Sequence, residues 1–416
     1  MKTETLDPAA FHGLAGELVE SVAPHTEADP AALLLDFLAC FGSAVGPGPH
    51  VRVGGAVHPA RLFVLLVGTT SRARKGQSRA ELRPVFAVAD PGWSSERVVG
   101  GLSSGEGLIA AVRDGANGDD PGVADKRLLA VEEEFASVLK VASRDGNTLS
   151  EVLRRAWDTG NIRTLTRKDP LRSTGAHISV LAHVTAEELR HRLTELETAN
   201  GFANRFLIAQ VARARLLPHG GRHLCSHNSL YSQVRGALET ARRIGEVRRS
   251  GHADELWELV YEYLETRDDR GLIGALTARS SAHVLRLSLV YALCDGSRTI
   301  ESAHIEAAYA VWRHCDASVR ALFKTSTGNG TADRIAEELV KAGAYGLDRT
   351  TIGDLFSRHA RKPELDDALT LLVDLGEAVV VRQPTGGRPT LRYFASEKSE
   401  LSERSLAPLS FLRAEG

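Results

Sequence analysis

Apolar runs with the character of buried strands recur in the first half of the chain. They span Leu62–Val67, Leu128–Val131, His177–Val184 and Phe206–Val211. Between them lie segments in which apolar residues recur at helical spacing, such as the one that opens at Ser78. Strands that alternate with helices predict an α/β fold, in which a parallel sheet is covered by helices on both faces.

The segments around this sheet are predicted to be mainly helical. Residues 8–46 carry apolar helical faces, and Asp29-Pro30 is typical of a helix start. Thr185-Ala-Glu-Glu188 has the form of a capping box. Further patterns predict a strand or hairpin over residues 51–57, a turn at Pro91-Gly92, a helix over 148–157 and a helical region over 229–323.

The C-terminal part has a different pattern, which describes a winged helix. Three helices are expected near residues 335–340, 351–356 and 365–375, followed by a hairpin of strands 378–382 and 391–394 around a Pro384–Pro389 turn. The polar tail is expected to be disordered. The predicted organisation is an N-terminal helical region 1–50, a P-loop core 51–215, a helical lid 216–325, a winged helix 331–396 and a tail 397–416.

Composition limits the classes of function. The 416 residues carry a formal net charge of −2, so any nucleic-acid surface must be local. No apolar run reaches membrane-spanning length, and the N-terminal segment lacks the apolar core of a signal peptide. The four cysteines have no pairing spacing, which indicates reduced thiols in a cytoplasmic protein.

The segment after the first strand suggests a phosphate site of the P-loop kind. Gly68 ends the strand, a basic loop follows, and a helix opens near Ser78. A helix N-terminus presents free N–H groups and a partial positive charge, and both attract phosphate. The candidate ligands of ATP and Mg²⁺ are Gly68, Arg74, Lys75, Gly76, Gln77 and Ser78, with Ser78 at the metal ion.

The match to the P-loop pattern is incomplete. Gln77 occupies the position where a P-loop has its lysine, because Lys75 precedes Gly76. Gly68 is also three residues too far from Ser78. The alternative is an ordinary basic turn at the surface.

Three glutamates directly follow the second strand. Nucleotide hydrolysis needs one carboxylate for the metal ion and another that activates water, at the carboxyl end of a strand beside the P-loop strand. Glu132 and Glu133 are therefore candidates for the metal ion, and Glu134 for the water. The alternative is a solvated acidic turn.

Polar residues near the later strands can complete such a site. Thr185 and His183 are candidates for contact with phosphate or with the attacking water, although a lone histidine in a strand is more often a hydrogen-bonded core residue. Arg205 lies just before the fourth strand. It is either a surface residue with its own partners or a finger that reaches a neighbour's γ-phosphate.

These motifs resemble those of AAA+ ATPases, in particular the minichromosome maintenance helicases. Glu133-Glu134-Phe135 is similar to their Asp-Glu-Phe strand end, and Asn204-Arg205-Phe206 to their arginine-finger motif. Thr185 lies in the place of their sensor residue. Thr277-Ala-Arg279, with Arg286-Leu287 after it, is similar to the sensor arginine segment of their helical lid.

Nearly the whole chain also resembles a family of P-loop proteins from actinobacterial plasmids, phages and integrated elements, which often sit beside primase–polymerase modules. Leu102–Leu108, Glu132–Leu139 and Asn200–Phe206 carry this resemblance, together with the Arg74–Ser78 loop. The departures are Gln77 in place of lysine and Glu133 in place of aspartate. Either departure implies slow hydrolysis, or nucleotide binding without turnover.

The resemblance implies an ATP- and Mg²⁺-dependent motor that forms a ring, with a hexamer expected, and that acts as a DNA helicase or replication initiator of a mobile element. DNA and a primase–polymerase are the expected partners. In this interpretation Thr185 senses the γ-phosphate, Arg279 closes the lid and Arg205 acts across the subunit interface. The alternative is a DNA-binding adaptor or helicase loader that does not hydrolyse nucleotide and whose nucleotide pocket is structural or degenerate.

The predicted winged helix has a local basic surface. Its third helix begins with Glu364-Leu-Asp-Asp367, which would repel phosphate, so DNA contact is expected through the preceding loop and the wing. The residues concerned are Arg358, Arg361, Lys362 and Arg388. The alternative is a protein-docking module. A metal site of His219, His223, Cys225 and His227 matches no standard zinc spacing and is not expected.

Overall fold

The computed structural model describes residues 5–68, 76–116, 120–165, 170–193, 200–221, 228–269, 271–323, 327, 329–356, 361–383 and 390–396. These residues divide into two compact units. The larger unit contains residues 1–267 and 277–322, and the smaller one contains residues 268–276 and the chain from 323 onwards to the tail. Among the helices described, none combines the length and the apolar character needed to cross a bilayer.

The helices and strands of the larger unit follow the alternation expected from the sequence. Helices α1 (Gly13–Val22) and α2 (Pro30–Val45) come first, followed by a hairpin of β1 (His50–Val53) and β2 (Ala56–Pro59). There follow β3 (Phe63–Gly68), α3 (Gln77–Ala89), α4 (Pro91–Glu96), β4 (Val98–Val99), α5 (Gly105–Ala110), β5 (Arg127–Glu132), α6 (Phe135–Ala142), α7 (Leu149–Asp158), β6 (Ile162–Arg163), β7 (Arg172–Ser173), β8 (His177–Thr185), α8 (Ala186–Arg192) and β9 (Leu207–Val211).

The rest of this unit is mainly helical. Its elements are α9 (Asn228–Ala241), β10 (Arg248–Arg249), α10 (Gly251–Glu265), α12 (Ser280–Cys294), β11 (Thr299–Ile300) and α13 (Ser302–Phe323), while α11 (Gly271–Thr277) falls mostly in the smaller unit. The prediction of a purely helical region is wrong in one detail. Strands β10 and β11 pair in parallel, and two residues each are too short to leave a pattern in the sequence.

A five-stranded parallel sheet lies at the centre of the larger unit. Its spatial order is β4-β5-β8-β3-β9, and each neighbouring pair is parallel. All four predicted strands are therefore confirmed. Strand β4 was not predicted, because its two residues are too few to show an apolar run. Since all strands run the same way, they end at one common edge of the sheet, which we call the carboxyl edge, and begin at the opposite amino edge.

Helix α2 is the most deeply buried helix of this unit. Every residue from Ala31 to Val45 is buried, as expected for a helix that is apolar on all sides. The predicted start is confirmed, because the Asp29 side chain accepts a hydrogen bond of 2.9 Å from the Ala31 N–H. The same chemistry explains a wrong prediction at Pro91. The Asp90 side chain caps Trp93 N–H at 3.0 Å and begins α4, where a turn was expected.

The smaller unit has its own apolar core. It contains α14 (Gly330–Ala342), β12 (Leu347–Asp348), α15 (Arg349–Leu355), α16 (Lys362–Asp374), β13 (Ala378–Gln383) and β14 (Thr390–Ala395). The strands form an antiparallel sheet in the order β12-β14-β13. The core is lined by Ile335, Leu339, Ile352, Leu365, Leu369 and Leu372. The three predicted helices and both hairpin strands are present, strand β12 was not predicted, and the Pro384–Pro389 turn lies outside the described residues.

Candidate active site

The carboxyl edge of the sheet brings several of the predicted site residues together. Gly68, the last residue of β3, pairs in register with Thr185 of β8 and with Val211 of β9. Glu133 and Glu134 follow β5 at the same edge, and both side chains are exposed. The end of β3, a threonine and two carboxylates therefore lie at the same edge of the sheet.

Part of the predicted phosphate loop can be placed. Helix α3 begins at Gln77, with Gly76 as the residue before its first turn. Gly76 is exposed, and a Cβ atom added to it would meet nothing within 4 Å. Within the described ranges, no atom therefore fills the space beside Gly76 at this helix N-terminus, the kind of position where anions bind. Residues 69–75, which include Arg74 and Lys75, lie outside the described residues.

The first turn of α3 packs against a buried carboxylate that the sequence analysis missed. Ser78 is fully buried, and its hydroxyl lies close enough to Asp36 of α2 to affect the pKa of that carboxyl. Burial raises the pKa of Asp36, and the nearby Arg79, Cys40 and Ser78 side chains oppose this rise. The Cys40 thiol donates a hydrogen bond of 3.2 Å to Asp36 Oδ1, whereas Asp36 Oδ2 is buried without a hydrogen-bond partner. The available signal was a lone acid in an otherwise apolar helix.

Gln77, at the lysine position of a P-loop, also has a buried polar atom. Its Oε1 has no hydrogen-bond partner among the described residues. Buried polar atoms are normally paired. An acceptor of this kind fits a site that also holds a cation or a cation-bound water.

The three glutamates do not share one environment. Glu132 is buried, with 8% of its surface exposed, and its Oε1 accepts a hydrogen bond of 2.6 Å from the Leu102 N–H. This bond ties the segment after β4 to the end of β5. The Glu132 carboxylate therefore anchors this loop through one of its oxygens, and its role as a metal ligand stays a prediction. Glu133 and Glu134 remain available.

The predicted position of the acidic strand was wrong. Strand β8 lies between β5 and β3, so the glutamates are two strands away from Gly68. Parallel strands need not follow chain order, and the sequence carried no signal for the crossover. Thr185 is consequently the strand-end residue next to Gly68.

Thr185 caps the helix that follows β8, and it also lies at the carboxyl edge beside Gly68. The predicted capping box is confirmed: the Thr185 hydroxyl accepts from the Glu188 N–H at 3.2 Å and lies 2.7 Å from Glu188 Oε2. His183, two residues earlier in β8, pairs in register with Leu66 of β3 and is buried, with 2% of its surface exposed. It belongs to the sheet interior, whereas Thr185 is half-buried at the edge.

The two predicted arginines lie at the opposite, amino edge. Arg205 lies just before β9, and it donates hydrogen bonds to both carboxylate oxygens of Asp158, at 3.3 Å and 2.7 Å, and to the Gly201 carbonyl. Arg279 donates to Asn204 Oδ1 at 3.2 Å, and its Nη1 is 3.6 Å from Asp158. Strand β3 has six residues, so about 17 Å separates this edge from Gly68.

This placement changes how the two arginines are interpreted. Arg279 lies about one strand length from the carboxyl edge, and its role in closing a lid stays a prediction. Arg205 is buried, with 6% of its side chain exposed, and is held by its own chain. We call the surface formed by Trp157 and Asp158, on which both arginines lie, the Trp157 platform.

The predicted DNA-binding residues are only partly described. Arg361 and Lys362 are exposed at the start of α16, and the Lys362 carbonyl accepts a hydrogen bond of 3.0 Å from Arg349. Arg358 and Arg388 lie outside the described residues. Of the four residues whose spacing matches no zinc pattern, His223, Cys225 and His227 also lie outside the described residues, and His219 is exposed.

A different group of potential metal ligands occurs among the described residues. His12, Asp295 and His304 have ligand atoms within 4.8 Å of one another. His304 Nδ1 accepts the Glu301 N–H at 2.9 Å, so His304 Nε2 carries the proton and donates it to Asp295 at 3.2 Å. His12 Nε2 lies 3.0 Å from the same carboxylate oxygen. A metal ion needs a lone pair on Nε2, so this group is a hydrogen-bonded clasp.

Comparison with known proteins gives no family assignment. No protein-family profile matches the chain, and no curated protein sequence matches it significantly.

Proposed function

We propose that the protein is a P-loop ATPase of the AAA+ kind, which binds ATP and Mg²⁺ at the carboxyl edge of its parallel sheet. The observation that carries this proposal is the register of Gly68 with Thr185, with Glu133 and Glu134 at the end of the next strand. A strand end, an open helix N-terminus and exposed carboxylates are the parts that phosphoryl transfer requires. The same edge is where open α/β sheets bind ligands.

In this proposal each residue at the carboxyl edge has one task. The N–H groups at Gly76 and Gln77 hold the phosphates, and Lys75, which directly precedes Gly76 in the sequence, supplies a cation. Asp36 accepts a hydrogen bond from Ser78, which leaves the oxygen lone pairs of Ser78 for Mg²⁺. Bound Mg²⁺ would supply charge that neutralises the phosphates. Glu133 would hold this ion, Glu134 would accept a proton from the attacking water, and Thr185 would position that water.

The two arginines are proposed to act on the nucleotide of a neighbouring subunit. They lie about one strand length from their own carboxyl edge, and an interface that joins one edge to the other is heterologous, which generates a ring when it closes. Arg205 and Arg279 then stabilise charge on the γ-phosphate. A hexamer is the ring that the resemblance to helicases implies.

The smaller unit is proposed to be a winged helix that contacts DNA. Three helices and a three-stranded antiparallel sheet support this, as do the exposed Arg361 and Lys362 at the start of α16. A motor ring that carries such units would act as a helicase or replication initiator, with a primase–polymerase as a partner. The helices between residues 228 and 323 would correspond to the lid region of that family.

A second candidate is an adaptor or helicase loader that binds nucleotide without hydrolysing it. The ion pair between Arg205 and Asp158 within one chain favours it, as does Gln77 at the lysine position. Both candidates require ATP binding, and only the first requires turnover.

Nucleotide binding and turnover of the Glu134→Gln variant separate these candidates. We expect the wild type to bind a fluorescent ATP analogue with Mg²⁺ and to hydrolyse ATP faster when single-stranded DNA is added. Glu134→Gln should lose turnover by at least about a hundredfold and keep the nucleotide. Glu151→Gln is the control, since Glu151 is exposed and pairs with Arg155 on the same chain. Binding without any wild-type turnover would favour the adaptor, and absence of binding would contradict both.

Mixed subunits test the shared site. Arg205→Ala and Glu134→Gln subunits should each be inactive alone. In a random equal mixture, about a quarter of the interfaces combine an intact pocket with an intact arginine, so activity should return to about that fraction. If the mixture stays inactive while both variants assemble, Arg205 does not act across the interface.

A further inference from the structure

The Trp157 platform is held in place by two arginines that form no ion pair with a carboxylate among the described residues. Arg61 donates hydrogen bonds to the Trp157 and Asp158 carbonyls, both at 3.1 Å, and Arg286 donates to the Trp157 carbonyl at 2.9 Å. The Arg286 guanidinium also lies 3.5 Å from the centre of the Trp157 ring. These carbonyls are at the negative end of α7, which offsets the two buried charges. The platform is therefore a built and rigid feature.

The other two arginines share a single carboxylate. Arg205 makes two hydrogen bonds to Asp158, while Arg279 reaches it only at 3.6 Å. Within the described part of the chain, neither arginine forms an ion pair with any other acid. Asp158 and Arg279 are 37% and 34% exposed, so the opening of the platform faces solvent with an excess of positive charge.

The positive charge of these arginines also affects two neighbouring histidines. Burial, together with the charges of Arg286, Arg279 and Arg205, lowers the pKa of His283 to about 3, although the hydrogen bond that His283 Nε2 donates to the Asn204 carbonyl opposes this shift. Burial together with Arg286, Arg61 and Arg279 likewise lowers the pKa of His58 to about 4. Both histidines are thus kept neutral beside the platform, and the cationic character is carried by the arginines alone.

We propose that Asp158 is an internal substitute for phosphate: it holds Arg205 on the platform until the γ-phosphate on a neighbouring subunit displaces it. This inference rests on the proposed function. A phosphate group offers three oxygens and more negative charge than a carboxylate, so it can serve Arg205 and Arg279 together, where Asp158 serves only Arg205 well. Asp158 is then a positioning residue that restrains turnover until subunits assemble around ATP.

Removal of the Asp158 charge tests this restraint. Asp158→Asn keeps the shape of the side chain and weakens its hold on Arg205. At a fixed protein concentration, we expect ATP turnover to rise about tenfold, the equivalent of one charge-assisted hydrogen bond. The double variant Asp158→Asn/Arg205→Ala should lose this gain, because the gain acts through Arg205. Glu151→Gln, on the same helix, should match the wild type.

A second measurement uses the wild-type chain, so it does not depend on how Asp158→Asn folds. The guanidinium carbons of Arg205 and Arg279 lie 5.7 Å and 5.1 Å from the centre of the Trp157 ring. If phosphate draws Arg205 away, tryptophan emission should change when ATP and Mg²⁺ drive assembly. The change should be absent in Trp157→Phe and in Arg205→Ala. A residue with a merely structural role would leave emission unaltered during assembly.

The outcomes separate this inference from the proposed function. If the wild type binds no ATP, both the restraint by Asp158 and the proposed ATPase function are wrong. If the wild type turns over ATP in a concentration-dependent way, but folded Asp158→Asn is no faster and Trp157 emission stays constant, the restraint by Asp158 is wrong and the ATPase proposal stands. A rise in turnover that persists in the double variant would also overturn it, since Arg205 would not be the mediator.

Discussion

Gly68 and Thr185 are register partners on adjacent parallel strands, and each is the last residue of its strand. A ligand bound between the end of β3 and the N-terminus of α3 therefore meets Thr185 before any other residue of β8. The Thr185 hydroxyl is at the same time the cap of α8. A substitution at this position consequently affects both a possible ligand contact and the stability of a helix, and the two effects must be measured separately.

Thr185→Ala should lose the helix cap, at a cost of about 1 kcal/mol in the free energy of unfolding, and should also lose ATP turnover. Glu188→Ala breaks the reciprocal half of the capping box without removing the hydroxyl from the strand end. We expect it to lower stability while turnover is largely kept, and Thr185→Ser to keep both. Urea unfolding and steady-state ATPase assays measure the two effects. Equal loss of turnover in Glu188→Ala would mean that Thr185 acts only as a cap.

Glu132 should behave as a structural residue, in contrast to its two neighbours. Glu132→Ala removes the acceptor of the Leu102 N–H and should cost about 2 kcal/mol in the free energy of unfolding. Glu133→Ala, on an exposed residue, should cost less than about 0.5 kcal/mol but should raise the Mg²⁺ concentration needed for activity. Chemical denaturation and a Mg²⁺ titration distinguish them. A stable Glu132→Ala variant with a changed Mg²⁺ requirement would instead support the predicted role of Glu132 as a metal ligand.

The sequence supported the fold wherever a pattern was long enough to be specific. Strands β3, β5, β8 and β9 have at least five residues each and are mainly apolar, and all four were predictable. Strands β4, β10 and β12 have two residues each, so no periodicity existed to detect. Their positions depend on hydrogen bonds to a neighbour that lies far away in sequence.

From the sequence, only the part of the site that lies at the ends of the strands could be predicted. A carboxyl edge follows from parallel strands, so Thr185, Glu133 and Glu134 could be expected together. The order of the strands in the sheet could not be predicted from the sequence, and for this reason the glutamates were expected beside β3. Asp158 and Asp36 were missed because their significance comes from partners such as Arg205 and Ser78 that are 47 and 42 positions away. Nothing local marks such contacts.

The clasp of His12 and Asp295 should make stability depend on pH. Hydrogen bonding to Asp295, and then the charges of Asp295 and Glu306, raise the pKa of His12 above its ordinary 6.5, although burial opposes this. A raised histidine pKa stabilises the fold fully below about pH 6.5, and this contribution disappears as pH rises through the folded pKa. The pKa of Asp295 is lowered by His12 and His304 despite burial, so its contribution is present above its ordinary 3.8.

The clasp should therefore contribute most between about pH 4 and pH 6.5. His12→Gln should lower the free energy of unfolding in that range, and its difference from the wild type should shrink towards pH 9. Urea unfolding at several pH values measures this. Because His304 Nε2 carries a proton, added Zn²⁺ should leave the melting temperature unchanged. A difference that grows above pH 7, or stabilisation by Zn²⁺, would contradict the clasp.

DNA binding by the smaller unit should depend on salt through Arg361 and Lys362. If each side chain contacts one phosphate, the Arg361→Ala/Lys362→Ala variant should bind duplex DNA more weakly, and the slope of log affinity against log salt should fall by about 2. Fluorescence anisotropy at several salt concentrations gives this slope. Lys341→Ala is the control, because Lys341 is exposed on α14 and pairs with Glu338. Equal slopes for both variants would favour a protein-docking role.

Asp36 offers the sharpest distinction between a functional and a structural carboxylate. Its folded pKa is raised, chiefly by burial, so the ionised form is less favourable in the folded protein, and its contribution to stability is lost as pH rises through the folded pKa. Asp36→Asn should therefore keep or increase the free energy of unfolding at pH 7, by up to about 1 kcal/mol.

If Asp36 orients Ser78, the same variant should need more Mg²⁺ for turnover while its affinity for ATP without Mg²⁺ stays constant. Cys40→Ala, which removes the other hydrogen-bond donor to Asp36, should not change the Mg²⁺ requirement. A stabilised variant with lowered Mg²⁺ affinity would identify a buried charge that is retained for the site, whereas a destabilised variant with normal Mg²⁺ dependence would assign Asp36 to packing alone.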